Sequence, residues 1–323
     1  MSAVVGQTDV HPESLVTSVE GRSPRQIFWA RFRQDRAAMV GGIAVLTLLF
    51  LAVFAGVIAR HVIGHGPNQV YDSMTDDFGI PKGPNSSFWF GADGAGRDLF
   101  VRVLYGARTS LLVAFIATTI SMTIGVTVGV IAGYYRGFTD TVVMRISDVV
   151  LALPVLLLAI GIAAACGQTA AGCLGGFVQP GLGLVIFVIS AFTWPYIARI
   201  VRSTTLSLRE KEFVEAARSL GASNKRIIMR EILPNLAAPI IIWATLLIPS
   251  NILFEAALSF LGLGVPIGTP SWGQALSDAA GSGLYKSAPW LMIFPGIFLV
   301  VTTLAFNLLG DGLRDALDPR SER

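Results

Sequence analysis

Five stretches of this chain, residues 37–59, 109–135, 149–198, 232–254 and 287–310, contain no Asp, Glu, Lys or Arg. A hydrocarbon core of roughly 30 Å is crossed by about 20 helical residues, so each stretch is long enough to span a bilayer. A water-soluble domain of this length would need more charge to cover its surface. Here 14% of the 323 residues are charged, 53% are hydrophobic, and the mean hydropathy is +0.65. The chain therefore reads as an all-α, polytopic membrane protein.

The third stretch has 50 residues. As one helix it would reach about 75 Å at 1.5 Å per residue, so it must double back. Gly, Pro and polar residues cluster in "GQTAAGCLGGFVQPG" at 167–181, which marks the turn. Six spans are predicted, near 38–60, 109–134, 149–166, 182–201, 236–256 and 288–309. An even number puts both termini on one side. On that side fall 18 basic residues, against six on the other, and the short 167–181 connection has none. The positive-inside rule then assigns both termini, and the connection between the fourth and fifth spans, to the cytoplasm.

The first apolar stretch follows a polar run of about 36 residues and is longer than the apolar region of a secretory signal, so a cleaved leader is not expected. Residues 1–23 read as a solvated, disordered tail. In "SPRQIFWARFRQDRAAM" (23–39), Arg25, Arg31, Arg33 and Arg36 alternate with Ile27, Phe28, Trp29 and Phe32. That composition suits an amphipathic helix lying among membrane lipid headgroups. Its aromatic content argues against a nucleic-acid-binding arm.

Within the spans, Ser121, Gly125, Gly129 and Gly133 recur every four residues and form a stripe where another helix can approach closely. Pro154, Pro195, Pro239, Pro249 and Pro295 interrupt the other spans. Glu255 is the one acidic residue between Glu231 and Asp278. A carboxylate at mid-membrane is costly and marks function, but counting from Leu236 sets Glu255 near the outer end of its span. It is either packed there or lines a pathway or gate. Cys166 and Cys173 flank the 167–181 turn and read either as a disulfide or as two buried thiols. Neither has a histidine nearby in sequence, so no zinc site is expected. The chain has no G-x-x-x-x-G-K-[ST] loop, no H-E-x-x-H and no G-x-S-x-G, so no catalytic, cofactor or metal site is expected in it.

Residues 212–235, "EFVEAARSLGASNKRIIMREILPN", carry seven charges in 24 residues between two apolar stretches. Phe213, Ala216, Ala217 and Leu220 follow the i, i+3, i+4, i+7 pattern of one compact apolar helix face. Glu215 and Arg218 fall on the other flank. Gly221 suits a C-terminal cap and Ser223 an N-cap for a second helix, while Pro234 ends that helix or opens the next span. The outcome is helix, glycine turn, helix, tethered at both ends to the membrane. A DNA-binding helix-turn-helix has a similar outline, but the tether makes nucleic acid a poor target, and a stiff knob for a protein partner fits better.

"EAARSLGASNKRIIMREILP" resembles the EAA motif of the membrane subunits of ATP-binding-cassette importers, E-A-A-x3-G-x9-I-x-L-P. Glu215, Ala216, Ala217, Gly221, Leu233 and Pro234 match in register, while Glu231 stands at the isoleucine position, with Ile232 one place later. "GADGAGRDLFVRVLYGARTSL" (91–111), "YYRGFTD" (134–140) and "EAALSFLGLGVPIGTPSWGQAL" (255–276) resemble the C-type permease subunit of dipeptide and oligopeptide importers.

The resemblance implies the type I importer transmembrane fold and a multi-pass protein of the bacterial cytoplasmic membrane. It also implies a homologous B-type permease partner, separate ATPase subunits that hold ATP and Mg, and an extracytoplasmic substrate-binding protein. The chain then divides into a tail with its amphipathic helix (1–37), a first span (38–60), an extracytoplasmic loop (61–108), a five-helix domain (109–310) with a coupling segment at 203–235, and a second tail (311–323). Phe213, Glu215, Ala216, Ala217, Leu220 and Gly221 become the surface that docks on the ATPase. The same resemblance extends to nickel and glutathione importers. A passive channel or scaffold subunit is the alternative from another class. For 91–111 two readings stand: Asp98 caps a helix that shows Leu99, Phe100, Val103, Leu104 and Ala107 to the membrane interface, or Arg97, Asp98, Arg102 and Arg108 meet a docked protein or gate the pore.

Overall fold

A computed structural model describes residues 23–167, 181–266 and 268–317. The expectations for residues 1–22, most of the 167–181 turn, Cys173 and residues 318–323 lie outside them. Helix α1 (Pro24–Gln34) begins with a capping box, in which the Ser23 hydroxyl accepts from the Gln26 N–H and the Gln26 side chain accepts from the Ser23 N–H. Phe28 and Phe32 turn inward onto Ala38 and Ala316, while Trp29 stays exposed with Arg33 over its ring. Asp35 then caps α2 (Arg36–Val57) by accepting from the Ala37 and Ala38 N–H groups, and a π-helical turn at Ile58–Ile63 extends it.

Helix α3 (Leu99–Tyr135) has 37 residues. At about 55 Å it is longer than a bilayer core is thick. It starts ten residues before the predicted span. The charges of Arg102 and Arg108 cut the apolar run short in the sequence, yet Arg102 is buried against Asp93 and does not interrupt the helix. Leu99, Val103, Leu104 and Ala107 are buried rather than turned to the membrane interface, and Trp272, Ile252 and Leu291 share the core of Leu99, Val103 and Ala107.

The predicted third span is a bent pair. Helix α4 (Gly137–Ala152) meets α5 (Val155–Gly167) at 82° across Leu153 and Pro154. Pro154 has no N–H to give, and the ring disfavours helical backbone before it. Among the described residues, five helices are long and apolar enough to cross a membrane, or six if the pair counts as one span.

The remaining long helices are α6 (Leu182–Arg209), α10 (Ala237–Phe260) and α12 (Trp290–Leu317), joined by the short helices α7 (Glu212–Ser219), α8 (Asn224–Ile227), α9 (Leu233–Asn235) and α11 (Trp272–Gly281). Pro195, Pro249 and Pro295 lie inside helices, whereas Pro239 falls in the first turn of α10, where its missing N–H costs nothing. Helix α12 continues seven residues past 310 into the expected tail.

The Ser121–Gly133 stripe sets how closely α3 and α6 pack. A Cβ on Gly129 would lie 2.6 Å from the Ala198 carbonyl oxygen, and one on Gly125 2.7 Å from Ile197 Cβ. Gly133 repeats the approach at Arg202, where the distance is 2.8 Å. Among the described residues there is no β-sheet, only isolated bridges within 70–98. The bundle thus has two ends, one carrying α7 and the other α11.

Candidate functional site

At the first end, α7 is pinned on one side and bare on the other. Val214 is fully buried in a cluster with Tyr134, Ile227, Ile232 and Leu236, and Ala217 packs against it. Phe213, Ala216 and Leu220 point outward, with Leu220 88% exposed. The single apolar face expected for Phe213, Ala216, Ala217 and Leu220 is therefore divided. Val214 takes the inward role because Ile227 and Ile232 lie beneath it, and Ala217, one turn on, continues that side. Glu215 is exposed and has no side-chain partner among the described residues.

Gly221 has φ +77°, and its N–H donates to the Arg218 carbonyl at 3.0 Å. The left-handed backbone is where glycine is favoured after a helix. The Ser223 hydroxyl then caps α8 by accepting from the Arg226 N–H, and Tyr134 Oη donates to Asn224 Oδ1 at 2.9 Å, tying the segment to α3. A π-helical turn at Ile228–Ile232 carries Glu231 into the half-exposed position and Ile232 fully inward. The displaced isoleucine thus reaches the core one residue later. Ion pairs Arg202–Asp140 and Arg199–Asp148 bind α4 to α6, and Arg136–Glu210 closes the same end.

Midway along the bundle, α6 and α10, with Val155 of α5, line an open cleft of about 530 Å³. Phe192, Thr193, Tyr196, Trp243, Ser250 and Asn251 are among its lining residues, and none of the lining residues is charged. Tyr196 and Trp243 meet edge to face, 5.4 Å between ring centres.

At the α11 end, Glu255 is wholly buried and closed off from that cleft. It accepts from Ser110 of α3 (2.8 Å) and from Ser259 of α10 (2.7 Å), and Ser271, the cap of α11, also hydrogen-bonds to it. Of the two readings open in the sequence, the geometry is that of the packed one. Trp272 is buried beside it, and its Nε1 donates to the Val103 carbonyl at 3.0 Å. Its indole lies against Gly106, where a Cβ would come within 3.1 Å of Trp272 Cδ1.

Of the charges of 91–111, all but Arg108 are paired within the protein. Asp93 pairs with Arg97 (2.8 Å) and with buried Arg102 (3.1 Å), and Arg102 also donates to the Pro67 carbonyl and Asn68. Asp98 caps α3 and binds His65 Nδ1 at 2.6 Å. Burial first, and the Asp98 carboxylate second, hold the nearby Tyr71 phenol above its ordinary range. Arg108 is exposed. The sequence offered no signal for His65–Asp98 or Ser110–Glu255, whose partners are 33 and 145 residues apart. Cys166 is buried, while Cys173 lies outside the described residues.

Residues 125–323 match the family described as binding-protein-dependent transport system inner membrane component, and residues 23–78 match the N-terminal TM domain of oligopeptide transport permease C. The glutathione transport system permease protein GsiD of Escherichia coli O6:K15:H31 is 40% identical over 314 residues, covering 97% of this chain and 96% of that protein. GsiD of Shigella sonnei is 41% identical over 306 residues, 95% of this chain and 94% of its own length. Among solved structures, inward-facing forms of the MetNI methionine ABC transporter share the fold. One superposes with a TM-score of 0.55 at 19% identity, over 68% of this chain and 98% of that one.

Proposed function

Since this chain belongs to the binding-protein-dependent inner membrane transport components, the permease subunits of ABC importers, we propose that it forms half of a peptide translocation pathway. The other half is a homologous B-type permease. Separate cytoplasmic ATPases, with ATP and Mg, drive the pair, and an extracytoplasmic binding protein delivers cargo. The basic residues, 18 against six, support a cytoplasmic α7 end. Glutathione is the second cargo reading, favoured by the GsiD relatives; it is itself a tripeptide, so both cargoes present amide groups.

The observation that carries this reading is the divided face of α7. Val214 anchors it to the bundle, and Phe213, Ala216 and Leu220 leave an apolar surface facing water, with unpaired Glu215 beside it. Exposed apolar residues grouped on a rigid element mark a protein-docking surface. A capped helix transmits displacement better than a flexible loop, and the alanines admit a close approach. Drawn toward its counterpart when the ATPases close, α7 would carry α6 with it, and the Arg202–Asp140 and Arg199–Asp148 pairs would carry α4. Purification of the intact complex, with its partner chains and retained cargo identified, tests the reading. Recovery of an ATPase and a second permease is expected, and a channel or scaffold would yield neither.

A further inference from the structure

Toward the α7 end lies an open groove of about 480 Å³ that shares no lining residue with the cleft between α6 and α10. Met122, Val126 and Val130 of α3 form one wall. Met229 and Leu233, from the turn after α8 and from α9, and Ile240 of α10 form the other. No lining residue is charged. Its two hydroxyls, on Thr123 and Thr127, donate to the carbonyls of Thr119 and Thr123 at 2.7 Å each, so neither calls for a partner from outside. Met122 and Val130 lie about 20 and 8 Å from the last residue of α3, at 1.5 Å per residue. That is the depth of a single leaflet, in a hydrocarbon core roughly 30 Å thick.

Three cations stand beside this groove. Lys225 and Arg226 precede Met229 by one helical turn, and Arg230 follows it directly. All three are exposed, and none has an ion-pair partner among the described residues. Glu231, the one carboxylate of residues 222–236, is half-buried. A partner helix would fill the groove and leave the cations unanswered. An acyl chain joined to a phosphate answers both, and basic residues at the cytoplasmic face of membrane helices favour anionic lipid.

We propose that the groove binds an anionic phospholipid of the cytoplasmic leaflet, with an acyl chain along Val126 and Leu233 and the phosphate on Lys225, Arg226 and Arg230. The site rests on the reading that puts the α7 end in the cytoplasm. Bound there, one lipid bridges α3 and the segment between α7 and α10.

The test uses the complete importer in phosphatidylethanolamine vesicles doped with phosphatidylglycerol that carries a diazirine on its acyl chain. After irradiation, labelled peptides are mapped by mass spectrometry. Label is expected on the peptides that contain Val126 and Met229. Lys225→Gln, Arg226→Gln and Arg230→Gln are each expected to lower it about fivefold, the factor for the roughly 1 kcal/mol that a basic residue contributes at an anionic surface. Label on exposed Leu46 and Phe50 of α2 reports lipid that merely surrounds the protein and should not change, which also controls for assembly. Phosphatidylethanolamine with the same diazirine chain is expected to label the groove less, and equally in wild type and variants. Equal labelling of the groove by the two lipids, or phosphatidylglycerol labelling unchanged when all three cations are replaced, would overturn the site. So would groove peptides that take no label, since another chain would then cover them. Reaction of Lys225→Cys with an impermeant maleimide from outside intact cells would instead remove the cytoplasmic placement, and the site with it.

Discussion

Glu255 accepts a 2.8 Å hydrogen bond from Ser110, 145 residues earlier, at the point where α3, α10 and the cap of α11 converge. Its carboxyl group, enclosed by hydroxyl donors, links three elements that the apolar core also joins. Removing it leaves the Ser110 and Ser259 hydroxyls buried without a partner.

Glu255→Leu is therefore expected to destabilise the folded complex by about 1–3 kcal/mol for each hydroxyl stranded. Glu255→Gln, which can still bond the serines, should lose less than half as much. Thermal unfolding of the purified complex measures both, and equal losses would mean that the charge itself, not the hydrogen bonding, is what matters.

Gly129 lies against the Ala198 carbonyl, with 2.6 Å left for a Cβ. Gly129→Val must push α6 from α3, and overpacking of this kind costs about 1–3 kcal/mol. A lower yield of assembled complex is expected. The same substitution at Gly183, where a Cβ meets nothing within 4 Å, should leave yield unchanged.

Asp140 and Arg202 join α4 to α6 through a two-pronged pair. Arg202→Asp is expected to lower cargo uptake per ATP hydrolysed, because α4 no longer follows α6. Combining it with Asp140→Arg should restore most of the loss. A double variant no better than the single one would show that the pair does not link the helices' motion.

Gly221 combines φ +77° with an N–H that caps α7. Proline fixes φ near −65° and has no N–H, so Gly221→Pro conflicts on both counts and costs about 3 kcal/mol or more. Uptake should be lost or uncoupled from ATP hydrolysis. Transport near the wild-type rate in this variant would contradict the role given to the cap.

The charge-free runs made the spanning helices legible, and the spacing of Ser121, Gly125, Gly129 and Gly133 made the α3–α6 seam legible. Both are periodic signals carried by many residues. What the periodicity misjudged turned on single partners. Arg102 and Arg108 interrupted the apolar run and hid the first ten residues of α3; Asp93, which neutralises Arg102, sits in the preceding loop. Phe213, Ala216, Ala217 and Leu220 looked like one apolar docking face of α7, since helical spacing alone does not say which side the rest of the chain covers. Ile227 and Ile232 decide that by lying under Val214. Glu231 in the isoleucine place is resolved in the same way, as the π-helical turn delivers Ile232 to the interior instead.

The central claim is that the bare side of α7 grips the ATPase, and Leu220 tests it most directly because it is 88% exposed and supports nothing in the bundle. The measurement is the amount of ATPase retained when the membrane complex is captured through a tag on this chain carrying Leu220→Asp. A charge in the centre of an apolar docking surface should reduce retention at least tenfold, on the order of a hot-spot loss, with α3–α6 packing and membrane insertion intact. Retention at the wild-type level, together with wild-type uptake, would contradict the account.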